Sequence, residues 1–425
     1  MSLNPNSPKL TSWVNISPDT DFPIQNLPYG IFSIDGHPPR AGIAIGDYVL
    51  DLSKLQDSGL ISIPGLPWGV FAKSTLNSFI GLGKEITNPV RERISELLQT
   101  ECEELKNRVE LRHECLIRRD EVTLHLPLQI GDYTDFYSSE QHAYNVGCMF
   151  RDPDNALLPN WKHLPVGYHG RASSIVVSGT EINRPKGQQK PNDQDPPIFG
   201  PTRLLDFELE MAFVIGKGTE LGESISTTQA EDHIFGLCLF NDWSARDLQK
   251  WEYVPLGPFL AKNFASSVSP WIVTLEALEP FRIAGSKQIP KVLPYLEYSG
   301  NKNFNIDLEV YIKPEDSEGI KVSHSNFKYM YWNMNQQLAH HTVNGCDVNP
   351  GDVMASGTIS GPREDQYGSM LELSWRGTKP ISMPDGSERK FINDGDTVIM
   401  KGYGRKNGVK IGFGEVVSKI LPAKS

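Results

Sequence analysis

Carboxylates one residue apart are the first feature of this chain with chemical content. In LLDFELEMAFVIG, Phe207, Leu209, Met211 and Phe213 alternate with other residues, the two-residue period of a β-strand. Side chains at i and i+2 share a strand face, so Glu208 and Glu210 project side by side, with Asp206 before them and Ala212 and Val214 beyond. A face that begins acidic and ends apolar is not simply a solvated one, although a solvated face is the ordinary reading of Glu-x-Glu. Like charges this close repel, and partial burial raises their pKa unless a cation intervenes. Oxygen-only ligands favour Ca2+ or Mg2+ over zinc.

Further groups must complete such a site. The apolar run in HIFGLCLFNDWSARD ends at Asn241 and Asp242, and Asp242 reads equally as a ligand or as the cap of a following helix. GDYTDFYSSEQHAYNVG sets Asp132, Asp135, Tyr137 and His142 among aromatic residues, the composition of a pocket wall or of a hydrogen-bonded loop. His142 is the natural general base, because imidazole titrates near neutrality, although a lone histidine is more often structural. YHGRASS supplies a second histidine, His169, with Tyr168 and Arg171. His341 falls on an apolar stripe and reads as packing. Glu372, flanked by Leu371 and Leu373 in GSMLELSW, reads as a carboxylate inside an apolar strand that needs a partner or else faces outward. ASGTISG offers backbone N–H groups on a glycine turn, suited to a substrate carboxylate.

The elements that must position these groups are mostly strands. Residues 1–60 read as short strands with Pro/Gly turns, and 70–113 as helical, with Val90, Ile94, Leu97 and Leu98 on one face. The texture changes near 115–125, which divides the chain into residues 1–120 and 121–425. Short strands then follow at the spacing of an antiparallel sandwich or roll, SPWIVTLEAL among them. Two helices interrupt them: SARDLQKWE over 244–252, and NFKYMYWNMNQQLAHHTVNG, where Phe327, Met330, Tyr331, Met334, Leu338 and His341 trace one face and Gly345 is a suitable C′ residue. KGQQKPNDQDPPIFGP, 186–201, reads as a surface loop. The fold class is therefore mainly β (α+β).

Composition narrows the function. The 425 residues are 22% charged and 39% hydrophobic, enough for two or three domains' worth of core. A formal charge of −11 argues against sequence-independent nucleic-acid binding. The five cysteines form no C-x-x-C pair, so neither a disulfide framework nor a zinc site is expected. No apolar run is long enough to span a membrane and no secretory signal is visible, so a cytosolic location is expected.

Taken together, DYTDFYSSEQHAYNVG, LPNWKHLPVGYHGRASSIVVSGT, LLDFELEMAFVIG, FNDWSARDLQKWEYVPLGPFLAKNF, HHTVNGC, PGDVMASGTISG and GSMLELSW resemble the fumarylacetoacetate hydrolase family. The resemblance covers nearly the whole chain and is strongest from 130 to 375. It implies an SH3-like N-terminal barrel followed by a mixed β-sandwich roll, assembled as a homodimer. It implies hydrolysis of a small-molecule diketo acid, 4-fumarylacetoacetate, to fumarate and acetoacetate, the last step of tyrosine and phenylalanine catabolism. Asp135, Glu208, Glu210 and Asp242 match the family's Ca2+ or Mg2+ ligands, His142 its base, and Glu372 the carboxylate that orients that base. Arg246, Gln249 and Lys262 match groups that stabilise developing negative charge, and Tyr137, Arg151, Tyr168, Gln249, Tyr253 and Thr358 match substrate contacts. Lys262 also lies at a position linked in the family to a second Mg2+, together with Asp242 and a threonine four residues beyond the lysine, for which this chain has Ser266. Glu140 is a second departure, at a place where the family has a basic residue, and would raise the pKa of His142 if the two were close. Two other readings compete: a superfamily relative acting on another acylpyruvate or β-diketone, and a non-catalytic Ca2+-stabilised β module.

Overall fold

The computed structural model describes residues 4–192 and 194–425. The chain is mainly β with interspersed helices, organised around three larger sheets. The N-terminal sheet has five antiparallel strands in the order Leu116–Arg118, Tyr48–Asp51, Arg40–Ile45, Tyr29–Ser33 and Thr123–His125. The helix Lys84–Leu98 belongs to the same unit and buries Val90, Ile94, Leu97 and Leu98, the face its spacing predicts.

The central sheet has eight strands. Leu209–Ile215 lies in its middle, antiparallel to Ile234–Asp242 on one side and to Val353–Ala355 on the other. Val353–Ala355 pairs in parallel with Tyr133–Phe136, so the sheet is mixed rather than purely antiparallel. A third sheet of five strands includes Asp307–Lys313, Thr397–Lys406 and Val409–Leu421.

All seven residues of Leu209–Ile215 are buried, which explains why one of its faces changes character along its length. Leu209, Met211, Phe213 and Ile215 pack with Leu308, Val310, Phe413 and Val416 of the third sheet. Ala212 and Val214 point the other way and share a core with Leu27, Tyr29, Phe79 and Ile80 of the N-terminal unit. The N-terminal unit thus covers the apolar half of the face whose other half carries Glu208 and Glu210. Tyr29 and Ile272 exchange backbone hydrogen bonds of 2.9 and 2.8 Å, tying the two units together.

Several local expectations are overturned. GSMLELSW is not a strand: Met370–Leu373 is one helical turn, capped by Ser369. SPWIVTLEAL keeps only Val273–Thr274 as strand, after which Thr274 caps the short helix Leu275–Leu278. The helix expected from Phe327 starts late. Phe327–Tyr329 is a 3-10 turn, and the α-helix Met334–Thr342 begins at Asn333, which forms a capping box with Gln336. Satisfying the orphan N–H groups there outweighed the continuing apolar period. Gly345, at φ +87, lies two residues past the C-cap Val343 rather than at C′. The helical texture of 70–83 breaks into Val70–Ala72 and Asn77–Ile80. The 186–201 stretch is a hairpin, Lys186–Gln189 against Ile198–Pro201, and Asp193 within it lies outside the described residues. The helix after Asp242 spans only Arg246–Glu252, because Ser244–Ala245 pairs with Leu205–Asp206.

Phe79 carries much of the contact between units, with ring centroids 5.2 Å from Tyr29 and 6.1 Å from Phe235 of the central sheet. Phe79→Ala is expected to lower stability by about 3–5 kcal/mol, read as a lower denaturation midpoint in urea. An unchanged midpoint would mean that the units do not depend on this packing.

Candidate active site

Strand register decides which carboxylates meet. Glu208 and Glu210 share a face. Leu209 is opposite Asn241, so Asp242 falls opposite Glu208 and on the same side. Ala212 pairs with Ala355, which pairs with Asp135, bringing the fourth carboxylate in from two strands away. Asp135, Glu208, Glu210 and Asp242 are all buried, and each offers an oxygen within 4.8 Å of the others.

Two cations answer part of this charge. The Lys262 Nζ donates to Glu208 Oε2 and, at 2.7 Å, to Asp242 Oδ2. The Arg246 Nη2 lies 2.8 Å from Glu208 Oε1. Burial would raise the Glu208 carboxyl, but Lys262 and Arg246 outweigh it and hold it down at about 2. Asp135 and Glu210 make no such ion pair, and the pull of Lys262 on them is too weak to prevail. Burial first, then the negative charges around them, push both far above the usual carboxylate range. One oxygen of each, Asp135 Oδ1 and Glu210 Oε1, is buried without a hydrogen-bond partner, while Glu210 Oε2 accepts from Gly357 N at 3.0 Å. At an effective dielectric of about 20, two carboxylates this close repel by roughly 3 kcal/mol. Several such pairs rival the whole stability of a domain, about 5–15 kcal/mol. An all-oxygen donor set with two orphaned buried oxygens fits a hard divalent cation.

Beside the cluster is a histidine–carboxylate pair. His142 lies in the helix Glu140–Phe150, whose N-cap Ser139 accepts from His142 N. His142 Nδ1 is 2.7 Å from Glu372 Oε2, and both residues are buried. An ionised carboxylate only accepts, so Nδ1 carries the proton and Nε2 is left basic. Burial would raise the Glu372 carboxyl, but His142 outweighs it and the net shift is downward. Glu372 also accepts from Asn145 Nδ2 at 2.8 Å and from the hydroxyls of Ser360 and Ser369, each at 2.9 Å. Asn145, Ser360 and Ser369 were not anticipated from the sequence. Asn145 sits three residues after His142, one helical turn on, and Ser369-x-x-Glu372 is a helix-start signature, so both had a readable signal.

The other candidate residues fall at varying distances from this centre. Tyr168 donates to Asp242 Oδ2 at 2.9 Å, and burial, then that carboxylate, pushes its phenol well up. The Ser266 hydroxyl donates to Asp242 Oδ1 at 2.8 Å. Gln249 accepts from Arg246 Nη1 at 3.2 Å. The Tyr137 ring lies edge-on to His142 at 5.3 Å. Thr358 is buried beside Gly357. Arg151 is not drawn into the cluster: its Nε and Nη2 donate to the Ala156 carbonyl. Tyr253 is exposed at the end of its helix. Asp242 does not cap the following helix, whose N-cap is Ala245. Glu140 pairs with Lys162 at 2.7 Å. His341 is more than packing, since its Nε2 lies 3.0 Å from Thr134 Oγ1. Asp206, the first acid of the run, lies outside the cluster and pairs with Arg246. All five cysteines are free, and no helix among the described residues is long and apolar enough to cross a membrane.

Known proteins share this arrangement of sequence. A family described as "Fumarylacetoacetate (FAA) hydrolase C-terminal" matches residues 133–420, and one described as "Fumarylacetoacetase N-terminal" matches 25–127. The chain is 55% identical to the fumarylacetoacetase of Homo sapiens, over 97% of this chain and 99% of that protein. It is 56% identical to the fumarylacetoacetase of Dictyostelium discoideum, over 97% and 98% respectively. Among solved structures, a fumarylacetoacetate hydrolase from Exiguobacterium antarcticum shares the fold, with a TM-score of 0.54 and 18% identity over 94% of this chain and 100% of that one.

A cation that binds only the folded cluster stabilises it by linkage, about 2.7 kcal/mol at a hundred times its dissociation constant. Adding Ca2+ or Mg2+ to EDTA-treated protein is therefore expected to raise Tm in a thermal melt, and Glu210→Gln is expected to shrink that increment. An identical Tm with and without either ion would rule out a cation role for the cluster.

Proposed function

The chain belongs to the fumarylacetoacetate hydrolase family, and from that membership we propose that it hydrolyses the C–C bond of 4-fumarylacetoacetate, giving fumarate and acetoacetate at the end of tyrosine and phenylalanine catabolism. The observation that carries the reading is the buried His142–Glu372 pair beside four clustered carboxylates, in a chain alignable to fumarylacetoacetases over nearly its full length. Assembly as a homodimer in the cytosol and an SH3-like N-terminal unit belong to the same reading. The exposed side chains of Val254, Leu256 and Phe259 support the dimer, since a second copy would cover them.

In the proposed reaction, Glu372 holds the Nδ1–H of His142 and so keeps Nε2 ready to take a proton from water. The resulting hydroxide attacks the carbonyl carbon on the fumaroyl side. Lys262, Arg246 and Gln249 supply donors for the oxyanion that forms. Lys262 and Arg246 are already engaged by carboxylates and Gln249 accepts from Arg246 through its Oε1, which limits their reorganisation as charge develops. The C–C bond then breaks, its electron pair leaves with the acetoacetate fragment, and His142 returns the proton to that carbon. Asp135, Glu208, Glu210 and Asp242 would hold a divalent cation, Ca2+ or Mg2+, which when bound supplies Lewis acidity toward the diketo acid. Lys262, Asp242 and Ser266 are the residues for a second Mg2+ in this reading, supported by the contacts that both Lys262 and Ser266 make with Asp242.

Tyr137, Tyr168, Tyr253 and Thr358 are assigned to the substrate. Arg151 would bind the far carboxylate with its planar fork, which requires it to release the Ala156 carbonyl.

The test is loss of fumarylacetoacetate absorbance with wild type, His142→Ala and Glu372→Gln. Wild type is expected to turn over, and His142→Ala to lose about 10²–10⁴-fold in kcat while remaining folded. Wild type that is inert on this substrate yet active on a shorter acylpyruvate would transfer the assignment to a superfamily relative. A fully active His142→Ala would remove the histidine from its role.

A further inference from the structure

Asp206 heads the acidic run but makes no part of the cation cluster, and its environment is unusual for a bystander. It is fully buried, and its carboxylate is used on both sides. Oδ1 accepts from Met370 N at 2.6 Å. Oδ2 accepts from Leu371 N at 3.0 Å and from Arg246 Nε at 2.8 Å. The two amides open the helical turn that presents Glu372 one residue later, and Glu372 is the partner of His142. The guanidinium on the other side reaches Glu208 through Nη2 and Gln249 through Nη1.

We propose that Asp206 is a positioning residue that sets the base pair and the oxyanion donors in one frame, fixing Glu372 through its backbone turn and Arg246 through its Nε. The inference rests on the functional reading above.

The backbone gives a reason to assign orientation rather than mere cohesion. The segments are already held together by main-chain hydrogen bonds: Arg246 N to Leu204 O at 2.9 Å, Leu209 N to Gly368 O at 2.8 Å and Ile392 N to Leu205 O at 2.9 Å. The carboxylate is not needed to bring them near. What it adds is a fixed direction for one guanidinium and for the first amides of one helical turn. An ionised carboxylate suits this because both its oxygens only accept, and here three donors converge on it. An asparagine amide of the same shape would turn an NH2 group toward one set of those donors.

Asp206→Asn is therefore expected to lower kcat on fumarylacetoacetate by about 10- to 100-fold, the usual effect of removing a group that orients a reacting side chain, with little change in KM. The discriminating readout is the double variant. If Asp206 acts through Glu372, Asp206→Asn loses much less in a Glu372→Gln background than in wild type, because the group it positions is already disabled. A purely structural role predicts that the two losses multiply and that they follow the fall in Tm.

Asp206→Glu keeps the buried charge opposite Arg246 and guards against an unfolded asparagine variant; one added methylene displaces the carboxylate, and kcat is expected to fall here too. Wild-type kcat in a folded Asp206→Asn or Asp206→Glu protein would overturn the assignment, as would fully multiplicative losses with Glu372→Gln. In either case an active wild type with a dead His142→Ala leaves the functional reading standing. A wild type that does not turn over the substrate brings down both.

Discussion

Four carboxylates buried within reach of one another are a problem that the rest of the molecule has to solve. Charges removed from water destabilise a fold unless they are paired and hydrogen-bonded, and like charges compound the penalty. Lys262 and Arg246 answer Glu208 and Asp242 from a helix and a loop that follow the strand Ile234–Asp242. Nothing equivalent reaches Asp135 and Glu210 among the described residues, and it is their carboxyls that are pushed upward. The remaining demand for positive charge is what suits the cluster to a cation, as a fully paired salt-bridge network would not be.

The same constraint explains the layering. A carboxylate face can be buried only if both sides of its sheet are covered. The third sheet covers one side, and the N-terminal unit covers the apolar half of the other. The Phe79, Tyr29 and Phe235 contacts are part of that covering. Exclusion of water raises the worth of every fixed donor in the site.

From His142 the contacts run without a break through Glu372, its helical turn, Asp206, Arg246, Glu208 and Lys262 to Asp242. Negative and positive groups alternate along much of this path, so each side chain has one preferred direction. Such a network holds the His142 imidazole and the Arg246 and Lys262 cations in fixed relation without any of them being free to collapse on the others.

The types of the chemical residues were legible in the chain itself. Glu208 and Glu210 were readable as one face because a strand repeats every two residues, and that arithmetic is local. Asp242 at the end of an apolar run, and His142 among aromatic residues, stood out by contrast with their surroundings, and the ensemble of motifs carried the family resemblance. Other features were decided only by tertiary structure. Glu372 has apolar neighbours that read as strand, yet it sits on a helical turn, because Ser369 caps that turn and Asp206 binds its first amides, 164 residues away in sequence. That Asp242 is a member of the cluster and not a helix cap follows from its register opposite Glu208, which pairing across strands alone could determine. Asp206 looked like a third member of the acidic face and is instead Arg246's partner, because its short strand pairs with Ser244–Ala245 rather than continuing Leu209–Ile215. Local periodicity determines which way a side chain points; what it meets depends on segments distant in sequence, and no local pattern contains them.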